Sequence, residues 1–496
     1  MRRTGLVSIL LILALAGFGC RRTPQTDGPR LVLLYAPCTV NKGYLGPYDP
    51  SVPYTPNLTR LARQSLVFER HQTESGQSGT AFASILSGTQ ATRHGIFSHP
   101  NVIDDDVLLI TEAFAQAGYT THTFLAHQMA SARLGYAQGV AGERVVRGPL
   151  HAARREFRRL LARLRDDPDH HAFVVTNFTV THGPYRARWL DEFCRQYPAQ
   201  CEARKDRRRF ERDSLLYREN MRLLGWDFET ARNRLGLEDR DVKRLSEAVE
   251  TLYKSTIFEL DRRFGAVLDA IKHYGLLHDS LIAFTADHGE ILYRENAYLY
   301  WTHGFQLAPE VIGVPWLLFG PGVGVHAGRY EGVTRSIDVF PTLAGLAGVP
   351  LEADPERGRD LSRTLRGLEP PPRLRAFSHT PLYQSRYWRR FRGYSGLAGL
   401  FPEQLPELMW VGVRDGDLNA KLRRIDGRTW ETPIFDLAAD PGETRDIHDP
   451  DDARHTELIR LLHLYKEKLV ERAHHAKGTV SRKRSLELLR ELGYID

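Results

Sequence analysis

The chain has 496 residues, of which 42% are hydrophobic and 26% charged, with a formal charge of +7. That composition excludes a disordered or fibrous chain and suffices for one large domain with a smaller appendage, or for two domains. The excess charge is modest and lies in basic runs around residues 154–165 and 205–212, which read as solvated helix faces; no aromatic-and-basic platform accompanies them, and no nucleic-acid partner is expected.

Taken in order, Arg2 and Arg3 precede an apolar run over residues 5–18, too short for a comfortable membrane span and fitting a secretory signal. The run closes at Gly19-Cys20, ahead of a polar linker over residues 21–29. This junction resembles a bacterial lipoprotein signal with lipidation at Cys20, although Gly17 stands where leucine is more usual. Ordinary signal cleavage and an uncleaved anchor stay open. The expected location is the bacterial cell envelope, anchored to the membrane and facing the periplasm or the exterior. In that oxidising setting Cys194 and Cys201, seven apart in a polar segment, are expected to form a local disulfide, whereas Cys38 has no evident partner.

Residues 31–36 give a buried strand ended by Pro37 and followed by Cys38-Thr39. Thr55-Pro56 reads as an N-cap and first helical residue, carrying Leu58, Leu61 and Ala62 inward, and Leu66 opens a second strand. Residues 74–80, Glu-Ser-Gly-Gln-Ser-Gly-Thr, form a flexible polar turn that opens a helix. Such a turn offers N–H groups to an anion, and Ser78 in it is either a nucleophile or an N-cap. Helical signals cover residues 111–117 and 152–164, and strand signals cover 120–124 and 172–180, the latter leading to His182. Residues 186–240 read as a charged, largely helical insertion, a lid or cap. A long amphipathic helix carries Leu245 through Ile271 inward.

Residues 281–290, LIAFTADHGE, are the most informative stretch: a buried strand delivers Asp287 and His288 to its carboxyl end, where open α/β sheets build their sites. A carboxylate beside an imidazole is half of a divalent-metal site. His303 lies in the loop beyond, before another strand over 314–319. Alternating strands and helices predict an α/β fold, with a large, mostly parallel sheet sandwiched by helices over residues 30–385. A small antiparallel α+β subdomain is expected over 386–472, with turns at Asp415-Gly416 and Asp426-Gly427, and a basic helical tail over 473–496.

Six segments in order then resemble the sulfatase family of the alkaline phosphatase superfamily. They are Thr55-Pro56-Asn57-Leu58; Ser84-Ile85-Leu86-Ser87-Gly88 with Arg93-His94-Gly95; residues 285–290; residues 337–343; Gly358-Arg359-Asp360-Leu361; and Phe435-Asp436-Leu437 with Asp440-Pro441-Gly442-Glu443. The resemblance implies that Asp287 and His288 are metal ligands, that Ser78 holds the nucleophile position with Thr80 in reserve, and that His182 and His303 bind substrate or protonate the leaving group. It also implies one divalent ion, calcium or magnesium by family.

Two departures bear on the chemistry. The family converts a cysteine or serine to formylglycine in a motif with a small apolar residue two positions on and arginine four positions on. Ser78-Gly79-Thr80-Ala81-Phe82 has neither, so formylglycine is not expected. Where the first metal aspartate belongs, the chain has Cys38. A thiolate there favours zinc, a neutral thiol leaves the site one anion short, and a small buried hydrophobe would mark a decayed site. The leading expectation is a metal-dependent hydrolase of sulfate or phosphate esters on an envelope glycan or lipid headgroup. A phosphodiesterase or phospho-headgroup transferase using Ser78 directly, and a catalytically silent glycan binder, are the alternatives.

Overall fold

The computed structural model describes residues 28–98, 101–141, 144–294, 299–381, 410–424 and 429–475. Cys20, the signal and most of the linker, the Asp426-Gly427 turn and the tail beyond residue 475 lie outside the described residues.

Among the described residues, two sheets organise the chain. The larger has eight strands: β1 (Leu31–Pro37), β2 (Leu66–Gln72), β3 (Thr120–Leu125), β4 (Val145–Arg147), β5 (Ala172–Phe178), β6 (Ser280–Thr285), β7 (Trp316–Phe319) and β8 (Gly328–Arg335). Their order across the sheet is β4-β3-β5-β1-β6-β7-β2-β8. All neighbours are parallel except β7, which runs against both β6 and β2. Central β1 is flanked in register by β5, Leu31 opposite Ala172, and by β6, Leu31 opposite Ser280.

Why β1 reads as an uninterrupted apolar run follows from its two covered faces. Side chains alternate across a strand, so Leu31, Leu33 and Tyr35 enter one core, with the helices Arg154–Asp166 and Asp239–His273. Val32, Leu34 and Ala36 enter the other, with the helices Ser78–Ser87 and Ser336–Ala347. The structure therefore has the α/β sandwich with a large, mostly parallel sheet. The smaller sheet is antiparallel throughout: β9 (Arg375–His379), β10 (Trp410–Asp415), β11 (Leu418–Arg424), β12 (Trp430–Glu431) and β13 (Ile434–Asp436). Its β9 lies upstream of residue 386, and the helix Ala453–His475 covers it.

Some local expectations change. Thr55 stands at the N-cap, but its hydroxyl makes no cap bond and accepts from the Gly46 N–H at 2.8 Å instead. Ser78 is the first helical residue, the cap position falling to Gln77. β4, β8 and β9 carry no clear alternation in sequence, being short or at a sheet edge. Cys194 and Cys201 are joined by a disulfide within the insertion.

Candidate active site

Four neighbouring strands, β3, β5, β1 and β6, end on the same side of the sheet, and each delivers a titratable group just past its last residue: His127, His182, Cys38, and Asp287 with His288. Backbone bonds hold these ends open. The Cys38 N–H donates to the Phe178 carbonyl at 2.8 Å, and the Thr181 hydroxyl donates to the Cys38 carbonyl. Asn177 accepts from the N–H of His127 at 2.9 Å and donates to the Ala130 carbonyl, which fixes the His127 turn. Thr39 adopts a left-handed φ of 62°, unusual for a β-branched residue. Its N–H donates to Asp287 Oδ1 at 3.0 Å and its carbonyl accepts from Tyr253 at 3.1 Å, so both sides of the turn are pinned.

Ser78 comes from the other face, at the start of its helix. Gly76 lets that turn approach closely: a Cβ there would stand 2.8 Å from the Gly304 nitrogen, next to His303. Gly289 does the same after the Asp-His pair, where a Cβ would meet the Glu310 carbonyl at 2.0 Å. The Ser78 hydroxyl thereby lies 3.1 Å from His288 Nε2 and 3.5 Å from Cys38 Sγ. His288 Nδ1 faces the Gly289 carbonyl at 2.9 Å, which can only accept, so Nδ1 carries the proton and Nε2 turns its lone pair into the cluster.

Cys38, Asp287 and His288 are fully buried, with one ligand-type atom from each within 4.8 Å of the others. Asp287 Oδ1 accepts the N–H groups of Thr39 and His288, but Oδ2 has no hydrogen-bond partner. A buried, unpartnered carboxylate oxygen is costly. Burial alone would raise the Asp287 carboxyl. The surrounding imidazoles of His288 and His127 and the Thr39 N–H outweigh it and hold it below the ordinary value. Burial, reinforced by Asp287, pushes the Cys38 thiol well up. An orphaned anionic oxygen facing a thiol and an imidazole nitrogen fits a divalent cation.

Beside the cluster stands a histidine pair. The rings of His303 and His288 are 4.3 Å apart, and those of His182 and His303 are 4.9 Å apart. Burial lowers both His182 and His303 to about 4, so each is a neutral imidazole at pH 7. His303 Nδ1 faces Glu290 Oε1 at 3.2 Å, and Tyr185 donates to the other Glu290 oxygen at 3.3 Å. Burial raises Glu290 to about 7.

The structure thus brings together Cys38, Ser78, His182, Asp287, His288 and His303. Thr80 is buried in the same turn, and its hydroxyl has no hydrogen-bond partner. Sequence reasoning passed over His127 and Glu290. His127 carries the same signal as His182, an imidazole just past a strand end. Glu290 lies inside the most informative stretch, but only the fold reveals that it faces His303.

The family model described as Sulfatase matches residues 39–349. The choline-sulfatase of Rhizobium meliloti (strain 1021) is 29% identical over 197 residues, 39% of this chain and 35% of that protein. Arylsulfatase A of Bos taurus is 30% identical over 207 residues, 40% of this chain and 39% of that protein. The chain thus spans little more than a third of the length of the curated relatives it matches. A structure solved in complex with its substrate D-glucosamine-2-N, 6-O-disulfate superposes with a TM-score of 0.64 at 16% identity, covering 90% of this chain and 99% of that one. The phosphonate monoester hydrolase of Agrobacterium radiobacter gives 0.58 at 18% identity, covering 90% and 96%.

Proposed function

This chain belongs to the sulfatase family of the alkaline phosphatase superfamily, and from that premise we propose that it is a metal-dependent hydrolase of sulfate esters in which the unmodified Ser78 hydroxyl is the nucleophile. The observation that carries this reading is the placement of Ser78 Oγ, at a helix start, 3.1 Å from His288 Nε2 and 3.5 Å from Cys38 Sγ. A divalent ion held by Cys38, Asp287 and His288 would polarise the non-bridging oxygens of the ester and make the nearby hydroxyl more acidic. The free N–H groups of the first helical turn receive the anionic group.

Ser78 Oγ then bonds to sulfur in line with the departing oxygen while its O–H proton passes to the neighbouring His303–His182 imidazole pair, and the ester C–O–S linkage breaks at the S–O bond. His303, with Nδ1 committed to Glu290, has Nε2 available to take up a proton and hand it to the leaving alkoxide; His182 lies beside it for the same duty. Water next attacks the serine sulfate, releasing inorganic sulfate and restoring the hydroxyl.

The substrate class we propose is a sulfated glycan, with a sulfated or phosphorylated lipid headgroup as the variant that an envelope location would offer. Solved neighbours were captured with glucosamine disulfate and with a neocarrahexaose, which supports the glycan. We place the protein at the bacterial envelope through lipidation at Cys20, on its leader sequence alone.

A second reading, phosphate-ester cleavage, is favoured by Phe82. It fills the fourth position after Ser78 with a buried ring 5.7 Å from that of His127, and an unmodified hydroxyl suits phosphoryl transfer well. Paired aryl sulfate and aryl phosphate esters decide the matter, with wild type against Ser78→Ala. Product from the sulfate that disappears in the variant supports the proposal. Product from the phosphate alone selects the second reading, and product from neither leaves a silent glycan binder and rejects both.

A further inference from the structure

The donor set at Cys38, Asp287 and His288 departs from what a hard cation requires, and we infer that this site is built for zinc, with the Cys38 thiolate as a ligand and the Ser78 oxygen at the open position. The inference rests on the reading of this pocket as the active site and deepens it by naming the cofactor.

Calcium takes roughly 6–8 oxygen ligands, and magnesium demands a near-octahedral oxygen shell. The cluster supplies one carboxylate, and of its two oxygens Oδ1 is already engaged by the N–H groups of Thr39 and His288. Only Oδ2 is free, and it is buried without a partner. The remaining donors are sulfur and imidazole nitrogen, which suit zinc and other borderline ions.

Spacing points the same way. With Zn–N ~2.05 Å, Zn–O ~2.1 Å and Zn–S ~2.3 Å, tetrahedral neighbours stand ~3.4 Å apart for oxygen and nitrogen and ~3.6 Å apart for nitrogen and sulfur. Asp287 Oδ2 and His288 Nε2 are 3.4 Å apart, and His288 Nε2 and Cys38 Sγ are 3.8 Å apart. Ser78 Oγ, 3.1 Å from the nitrogen and 3.5 Å from the sulfur, has two of the edges a fourth corner would have. Three protein ligands and one open corner are the pattern of catalytic rather than structural zinc. The imidazole is already aimed for the role: its Nδ1–H donates to the Gly289 carbonyl at 2.9 Å, which leaves Nε2 as the donor to metal. Cys38 is also the free cysteine among the described residues, and so is not committed to a disulfide. On binding, the S–H bond of Cys38 breaks, its proton passes to solvent and a metal–sulfur bond forms, with no change of oxidation state.

The test uses the full-length protein, stripped of metal and then titrated with cobalt(II), cadmium(II), zinc(II) and calcium(II). Cobalt and cadmium should each bind one equivalent and produce sulfur-to-metal charge-transfer absorption. Zinc should compete for that site and calcium should not. Cys38→Ala should abolish the absorption and weaken zinc binding by at least ~100-fold, since loss of outer-shell partners alone costs about 10–100-fold. Cys38→Asp should remove the absorption and move the preference towards calcium or magnesium, which separates a lost ligand from a misfolded variant.

Charge-transfer bands without ester turnover would support the zinc site while rejecting the proposed activity. Ester turnover sustained by calcium, with no sulfur-to-metal absorption and an unaltered Cys38→Ala protein, would overturn the zinc site and leave the activity standing.

Discussion

Replacing Ser78 by alanine removes one oxygen atom from a buried turn and should lower turnover of an aryl sulfate at least ~10⁴-fold, as loss of a covalent nucleophile does elsewhere. Steady-state rates on a variant with unchanged circular dichroism check this. Thr80→Ala should retain most of the activity, because no hydrogen bond ties the Thr80 hydroxyl to Ser78 or His288. Glu290→Gln keeps the shape but weakens the hold on His303 Nδ1, at 3.2 Å in the wild type. A drop of about 10–100-fold in kcat with little change in KM is expected, in the range that outer-shell partners command. At this scale the sequence was most legible where chemistry and strand pattern coincide. Asp287 and His288 end an apolar run, and Ser78 follows glycines into a helix. His127 and Glu290 were not legible, because their significance lies in what they face across the sheet end and not in their neighbours along the chain.

Around the helix Ser78–Ser87 the supporting element is the buried carboxylate of Glu74. It accepts from Ser84 at 2.5 Å, from the Ala91 N–H at 3.0 Å and from Tyr465 at 2.9 Å, and it lies 3.8 Å from His94. It thus ties the turn before Ser78 to the C-terminal helix Ala453–His475. Glu74→Ala should cost about 3–5 kcal/mol in chemical denaturation, the range for breaking a buried polar network. Burial opposes ionisation of Glu74, but His94, His379 and Ser84 hold its carboxyl below the ordinary value. Its stabilisation is therefore complete above the unfolded carboxylate value and is lost as pH falls through the lower folded one. His71 works in the same direction by another route. Burial first and Lys42 second lower it to about 3, so it stays neutral in the fold. Unfolded chains take up its proton below about pH 6.5, and each pH unit below that should remove roughly 1.4 kcal/mol until the folded value is reached. Thermal melts of wild type and His71→Gln from pH 7 to 4 should converge as acid is added. None of this network was legible in sequence: Glu74 looked like part of a flexible polar turn, and its partners come from residues up to 391 positions away.

For the molecule as a whole, a mostly parallel sheet covered on both faces was legible in uninterrupted apolar strands such as β1 and in the long amphipathic helix Asp239–His273. What escaped were the reversed β7 and the edge strands β4 and β8, whose pairing is set by neighbours distant in sequence. The candidate site ties these layers together, because Cys38, Asp287 and His288 follow β1 and β6 while Ser78 starts a helix on one face. Metal removal should therefore be felt globally. Zinc at 1,000 times its Kd stabilises by about 4 kcal/mol, and chelation should lower Tm accordingly, with recovery on adding zinc back. Most directly, the reaction should be quenched rapidly during turnover of an aryl sulfate and the peptide containing Ser78 weighed and sequenced by mass spectrometry. Serine before substrate and serine sulfate after the quench is the expected result. Formylglycine at position 78, or turnover with Ser78 never carrying the sulfuryl group, would contradict a hydroxyl nucleophile.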